Sequence, residues 1–115
     1  MRDETRSRKG LAVGSKAALA SLIDYQEGAV VSRSIIEGKT GTITLFAFDQ
    51  GEGLSEHQAP YDAFIEILEG EASISIEGRG SVLTQGECII LPGSRMHSLK
   101  APKRFKMLLT MLRSQ

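Results

Sequence analysis

From Val30 onward, the chain consists of short β-branched or alternating apolar runs separated by turn residues. This pattern limits the possible folds more than any other feature of the sequence. The runs recur about every 8–12 residues, a spacing typical of β-sandwiches and barrels. Ten of the twelve glycines lie between positions 28 and 93, among these runs. The predicted strands are Val30–Ile36, Gly41–Asp49, Ala63–Leu68, Ala72–Glu77, Ser81–Thr84, Cys88–Leu91, His97–Lys100 and Arg104–Leu112. The sequence therefore predicts an all-β domain, with a tight hairpin at Glu77–Gly80.

The first part of the chain has a different character. Residues 1–14 are mostly polar and predict a flexible tail, whereas residues 15–115 predict a single domain. A short helix is expected next, with Ser15 as its N-cap and an apolar stripe that ends before Gly28. A chain of 115 residues can bury about two thirds of its unfolded surface, enough for one hydrophobic core.

Two predicted strands, Ala63–Leu68 and Phe105–Leu112, are apolar on both faces. Something must therefore cover the second face of the sheet. Two coverings are open: the N-terminal helix, or a second copy of the chain packed sheet on sheet. We expect a homodimer to contribute.

Charge and composition exclude several classes of function. Fourteen basic residues balance fourteen acidic ones, and aromatic residues make up 5% of the chain, so no basic stacking surface for nucleic acid is expected. Residues 49–87 carry nine acidic groups and residues 95–115 six basic ones, which we expect to neutralise each other in the fold. No apolar run approaches the roughly 20 residues that cross a bilayer, so a cytoplasmic protein without membrane contact is expected. The single Cys88 fits a reducing compartment.

The two histidines each lie in a recognisable setting. His57 follows Gly51 by six positions, and His97 follows Pro92 by five and Gly86 by eleven. Residues 51–97 resemble the two signature motifs of the cupin superfamily, and the strand pattern from about residue 30 to 112 agrees. The resemblance implies a small cupin-type β-barrel, the double-stranded β-helix or jelly roll, preceded here by the short helix.

In that family the motifs supply three histidines and a glutamate that bind one divalent metal inside the barrel. His57 and His97 match two of these positions, but Ala59 and Ala63 stand where the second His and the Glu are usual. The resemblance thus implies a degenerate site for Fe, Mn, Ni or Zn, with His57 and His97 as its metal ligands. Strand parity turns Asp62 and Glu56 outward unless a bulge intervenes. Three alternatives remain open: a metal with further non-histidine ligands, a metal-free pocket, and a vestigial site.

The two alanines also widen the barrel near His57, which favours a pocket for a small organic molecule. The residues predicted to line it are Phe46, Phe48, Ala59, Tyr61, Ala63, Ile65, Ile67 and Leu99. We expect a module that binds a small molecule, with a metal-dependent oxygenase, isomerase or lyase as the alternative.

Overall fold

Between positions 11 and 113, the chain folds into eight antiparallel β-strands that curl into a barrel, preceded by one short 3-10 helix. The computed structural model describes residues 11–113. The strands are β1 (Val30–Glu37), β2 (Gly41–Phe48), β3 (Gly53–His57), β4 (Ala63–Ile76), β5 (Arg79–Thr84), β6 (Cys88–Leu91), β7 (His97–Lys100) and β8 (Phe105–Leu112). The all-β prediction is confirmed.

Strand β4 connects the two halves of the barrel. Its first half pairs with β8 and β6, and its second half pairs with β5 and β7, within the strand order β1-β2-β8-β4-β7-β3. The sequence predicts two strands here, but the chain continues through a bend at Gly70, whose φ is +84°. The register with β8 also shifts between Ile67 and Glu69, a bulge that bends the strand further. One bent strand therefore replaces the two predicted ones.

The hairpin predicted at Glu77–Gly80 is confirmed, as a two-residue turn between β4 and β5. Ile76 pairs with Arg79, and the two residues between them, Glu77 and Gly78, have φ values of 51° and 81°. Two consecutive positive φ values are the mark of a type I′ turn, whose twist matches that of the flanking strands.

The hydrophobic residues of the described part of the chain form two clusters on opposite faces of the sheet that contains β1, β2 and β8. The interior cluster fills the barrel and consists of Phe48, Ala63, Ile65, Ile67, Ala72, Ile74, Leu83, Leu91, Leu99, Ala101, Phe105 and Met107. The outer cluster consists of Ile23, Ile35, Leu45 and Ala47, with Leu11, Leu19, Leu22, Tyr25, Val31, Ile43, Leu68 and Leu108 packed against it. The N-terminal segment (residues 11–25) therefore covers the outer face. The predicted homodimer stays a prediction.

This segment is not the predicted helix. Its only helical part among the described residues is a 3-10 turn over Leu19–Leu22, which begins after Ala18 rather than after Ser15 and has no side-chain cap. A short isolated helix is marginal on its own, so packing decides the conformation. One turn followed by extended backbone at Ile23 already brings the apolar side chains onto the sheet. Of the predicted tail, residues 1–10 lie outside the described residues, and the Leu11 amide donates to the Ile35 carbonyl.

Polar groups hold the N-terminal segment against β8 and β4. The Lys106 ammonium, buried on β8, donates to the Ala20 carbonyl at 2.7 Å and lies 3.9 Å from the Glu69 carboxylate. The Tyr25 hydroxyl donates to the same carboxylate at 2.7 Å. Burial, and next the Glu69 carboxylate, raise the pKa of Tyr25, so this hydroxyl keeps its proton.

The uneven charges along the sequence meet in space, as expected. Arg104 pairs with Asp49 at 3.0 Å and Lys103 with Glu71 at 3.9 Å, which joins the basic C-terminal part to the acidic middle part. Among residues 11–113, no helix has the length and apolar character needed to span a membrane.

Candidate functional site

The two histidines, forty residues apart in the sequence, lie side by side in the fold. His57 on β3 and His97 on β7 are direct partners across the two strands. Their Nε2 atoms are 3.1 Å apart, and their rings meet edge to face with centroids at 4.3 Å. His97 is buried, with 6% of its surface exposed, whereas His57 is open to solvent. The pair therefore extends from the buried interior of the barrel to its solvent-exposed surface.

A bulge in β3 makes this pairing possible. Leu54 pairs with Leu99 and His57 pairs with His97, so β3 uses three steps where β7 uses two. Side chains alternate between faces along a regular strand, so without the extra residue Glu56 would share the inward face with Leu54. The bulge turns His57 inward in its place, a common use of bulges near functional sites.

Both imidazoles are held in the same tautomer by the backbone. Nδ1 of His57 lies 2.7 Å from the Ser55 carbonyl oxygen, and Nδ1 of His97 lies 3.1 Å from the Arg95 carbonyl oxygen. A carbonyl oxygen only accepts hydrogen bonds, so each Nδ1 carries the proton and donates it. Each neutral ring therefore has its lone pair on Nε2, and the two lone pairs point at each other.

This arrangement needs an electrophile between the rings. Two lone pairs at 3.1 Å repel unless a proton, a metal ion or a hydrogen-bond donor lies between them. Burial, and next the neighbouring His57, lower the pKa of His97 below its usual 6.5. The His97 ring is therefore neutral at neutral pH, the form in which an imidazole binds a metal ion.

The lowered pKa of His97 predicts how stability depends on pH. As the pH falls below about 6.5, the unfolded chain binds a proton at this ring before the native protein does, so the free energy of unfolding decreases. The decrease ends once the pH is below the native pKa. Urea unfolding of metal-free protein from about pH 8 to about pH 5 should show this loss.

His97→Gln, which keeps His57, is the control and should have a shallower pH dependence. Asp49 does not interfere, because backbone hydrogen bonds from Gly28 and Gln50 lower its pKa below 3.8, outside the range measured. Equal slopes for the wild type and His97→Gln would contradict the prediction.

Apolar side chains surround the inner side of the pair. Ile76 on β4 pairs with His97, and one step further along the same face Ile74 and Leu54 both pair with Leu99. The parity prediction includes Leu99 but misses the other three. The alternation in Ala72–Ile76 was a usable signal for two of them, since it already placed Ile74 and Ile76 on one face.

The other predicted pocket residues divide into two groups. Those in the interior cluster or packed against it are Phe46, Phe48, Ala63, Ile65 and Ile67. Ala59 and Tyr61 are half-buried and lie outside this cluster, in the loop between β3 and β4. Strand parity does not apply to Ala59, because β3 ends at His57. Whether these residues line a ligand stays a prediction.

The loop that carries Ala59 closes against the loop before His97. The Ala59 carbonyl accepts from the Ser94 amide at 2.6 Å, and the Asp62 carboxylate accepts from the Gly93 amide at 2.8 Å. Asp62 is thus engaged with the backbone. Within residues 11–113, no group of three or more His, Cys, Asp or Glu side chains is placed to hold a metal ion.

Solved structures with the same fold identify the family. A cupin superfamily protein from Desulfitobacterium hafniense has 32% sequence identity to this chain, with a TM-score of 0.86 over 92% of this chain and 97% of that one. The chain belongs to the cupin superfamily. A conserved protein of unknown function from Streptococcus pyogenes has 26% identity and a TM-score of 0.87, over 92% and 93% of the two chains.

A third cupin, a conserved barrel domain protein from Leptotrichia buccalis, has 33% identity and a TM-score of 0.79 over 82% of this chain. The match covers 46% of that longer chain. No protein-family model matches the sequence, and no curated protein matches it. The family is therefore known from structure and identity together, while the function must be argued from the site.

Proposed function

We propose that this cupin binds a small molecule and anchors it at the His57–His97 pair through a divalent transition metal. The observation that carries the proposal is the 3.1 Å separation of two Nε2 atoms whose Nδ1 partners both donate to backbone carbonyls. Histidines that ligate metals almost always donate the other ring N–H to such an acceptor. The two rings are therefore oriented as ligands are.

The distance between the nitrogens fits a shared ion. Two nitrogens about 2.1 Å from one ion are about 3.0 Å apart at a right angle and about 3.4 Å apart at a tetrahedral angle. The observed 3.1 Å lies between these values. A bound metal would act as a Lewis acid that attracts an oxygen or nitrogen of the ligand.

A binding protein is favoured over a metal-dependent oxygenase. Oxygenases of the non-haem iron type use two histidines and a carboxylate, and among the described residues no third His, Cys, Asp or Glu joins the pair. Two protein ligands leave several coordination positions to water or to the small molecule itself. We therefore expect the ligand to have a chelating or carbonyl oxygen beside an apolar part that contacts Leu54, Ile76 and Leu99.

Metal binding by tag-free protein tests the proposal. Titration with Zn²⁺, Ni²⁺, Mn²⁺ or Fe²⁺ should show one ion per chain for at least one of these metals. His57→Ala and His97→Ala should each weaken binding at least about tenfold, since even a lost supporting contact has an effect of that size. Binding should also weaken at acidic pH, where protons compete for the same lone pairs.

Asp62→Asn is the matched control, because it neutralises a nearby carboxylate but keeps an oxygen that accepts from the Gly93 amide. Its affinity should equal that of the wild type. Absence of binding for all four ions in the wild type would contradict the metal anchor. So would metal affinity equal to that of the wild type in both histidine variants.

A further inference from the structure

Two hydrogen bonds connect Glu77 to Met96, the residue immediately before His97. Its amide donates to the Met96 carbonyl at 2.8 Å, and its carboxylate accepts from the Met96 amide at 2.9 Å. One residue of the β4–β5 turn thus engages both backbone polar groups of Met96. The bond to the carboxylate is charge-assisted and therefore among the stronger kinds.

Met96 occupies a position on which the site depends. It lies between His97 and Arg95, whose carbonyl accepts the His97 Nδ1 proton. Ile76, which precedes Glu77 at the end of β4, pairs with His97 on β7. A shift of the Met96 peptide would therefore move the Arg95 carbonyl and the imidazole relative to each other.

The backbone at position 77 is unusual for a glutamate. Its φ is 51°, in the left-handed region, where a type I′ turn favours Asn, Asp or Gly. Glu77 and Ser94 are the two non-glycine residues with positive φ among the described residues. A residue held in an unfavourable conformation suggests a role for its side chain.

We propose that Glu77 is a positioning residue for His97. By fixing the Met96 peptide, it keeps the Arg95 carbonyl in reach of Nδ1 and so holds the His97 lone pair on Nε2, towards His57. The inference rests on the proposed metal anchor for its effect on binding, but the tautomer of the His97 ring can be measured without metal.

Two substitutions separate this role from fold stability. Asparagine tolerates the positive φ, so Glu77→Asn reduces the backbone strain of the turn. Its side chain is one methylene shorter, so the variant loses the hydrogen bond from the Met96 amide. Glu77→Gln keeps the length and an acceptor oxygen. We expect both variants to unfold within a few degrees of the wild type, whereas metal affinity falls about tenfold in Glu77→Asn and stays close to the wild type in Glu77→Gln.

Long-range ¹H–¹⁵N NMR spectra of metal-free protein provide the second readout. The chain has two histidines, so both rings can be followed. The wild type and Glu77→Gln should show His97 protonated at Nδ1, and Glu77→Asn should show a mixture of tautomers at His97 with His57 unchanged. If the wild type binds no metal but the spectra change in this way, the metal anchor fails and the positioning role stands. An unchanged His97 spectrum in a folded Glu77→Asn protein would overturn the role.

Discussion

Gly70→Ala is expected to lower the free energy of unfolding by about 3 kcal/mol or more, among the largest effects of any single methyl group in this barrel. A Cβ at this position would lie 2.7 Å from the Phe105 Cα and 2.8 Å from the Arg104 carbonyl carbon, and closer still to the Arg104 oxygen. All three are backbone atoms of the chain entering β8, so no side chain can rotate to make room. The φ of +84° adds the strain of a left-handed alanine.

The matched control is Gly86→Ala. Gly86 has a φ of +86°, but a Cβ there would meet nothing within 4 Å. This variant therefore measures the backbone strain alone, about 1–2 kcal/mol. Urea unfolding of both variants separates the strain from the steric clash at the bend of β4. Equal losses in the two variants would contradict the close approach of β4 and β8.

The same bend shows what a single sequence can and cannot predict. Gly70 is visible as a turn residue, and the sequence predicts a strand on each side of it. Whether a glycine ends a strand or bends one depends on the partner strands: β8 pairs with β4 as far as Gly70, opposite Phe105, and β5 pairs with β4 from Glu71 onward. That pairing is long-range in the sequence and leaves no local signal.

The motifs, and not strand parity alone, predict that the two histidines lie together. The motif resemblance brings His57 and His97 together, and the structure pairs them directly. Parity fails on both sides of His57. Before it, the bulge reverses the alternation after Leu54. After it, β3 ends, so counting alternate residues as far as position 59 no longer follows a strand. The three-residue step from Leu54 to His57 would have indicated the bulge if both were taken as inward.

The sequence allows two coverings of the outer face, because an apolar pattern is a local signal. Leu68 and Leu108 are apolar on the face away from the interior, and a pattern of this kind shows only that something must pack there. Residues of the N-terminal segment do so through a 3-10 turn and extended backbone, which have no regular apolar period to recognise. The helix prediction was wrong in conformation, although the same residues do the packing.

Ile23→Asp is therefore expected to detach the N-terminal segment and lower the free energy of unfolding by about 3–4 kcal/mol. Ile23 is 5% exposed and is a member of the outer cluster, so a carboxylate there either loses its hydration or pulls the segment into water. Release of the segment would uncover Leu45, Ala47 and Leu108. Stronger binding of a hydrophobic dye and a lower urea midpoint should both be seen.

Val13→Asp makes the same kind of change in the same segment at a residue that is 77% exposed, and it should change the free energy of unfolding by less than about 0.5 kcal/mol. Light scattering of the two variants and the wild type also tests the predicted homodimer. A wild-type dimer that persists in Ile23→Asp would have its interface away from this face, because the segment that covers the face is then displaced. Equal loss of stability in the two variants would show that Ile23 does not hold the segment, and the N-terminal covering of the sheet would have to be abandoned.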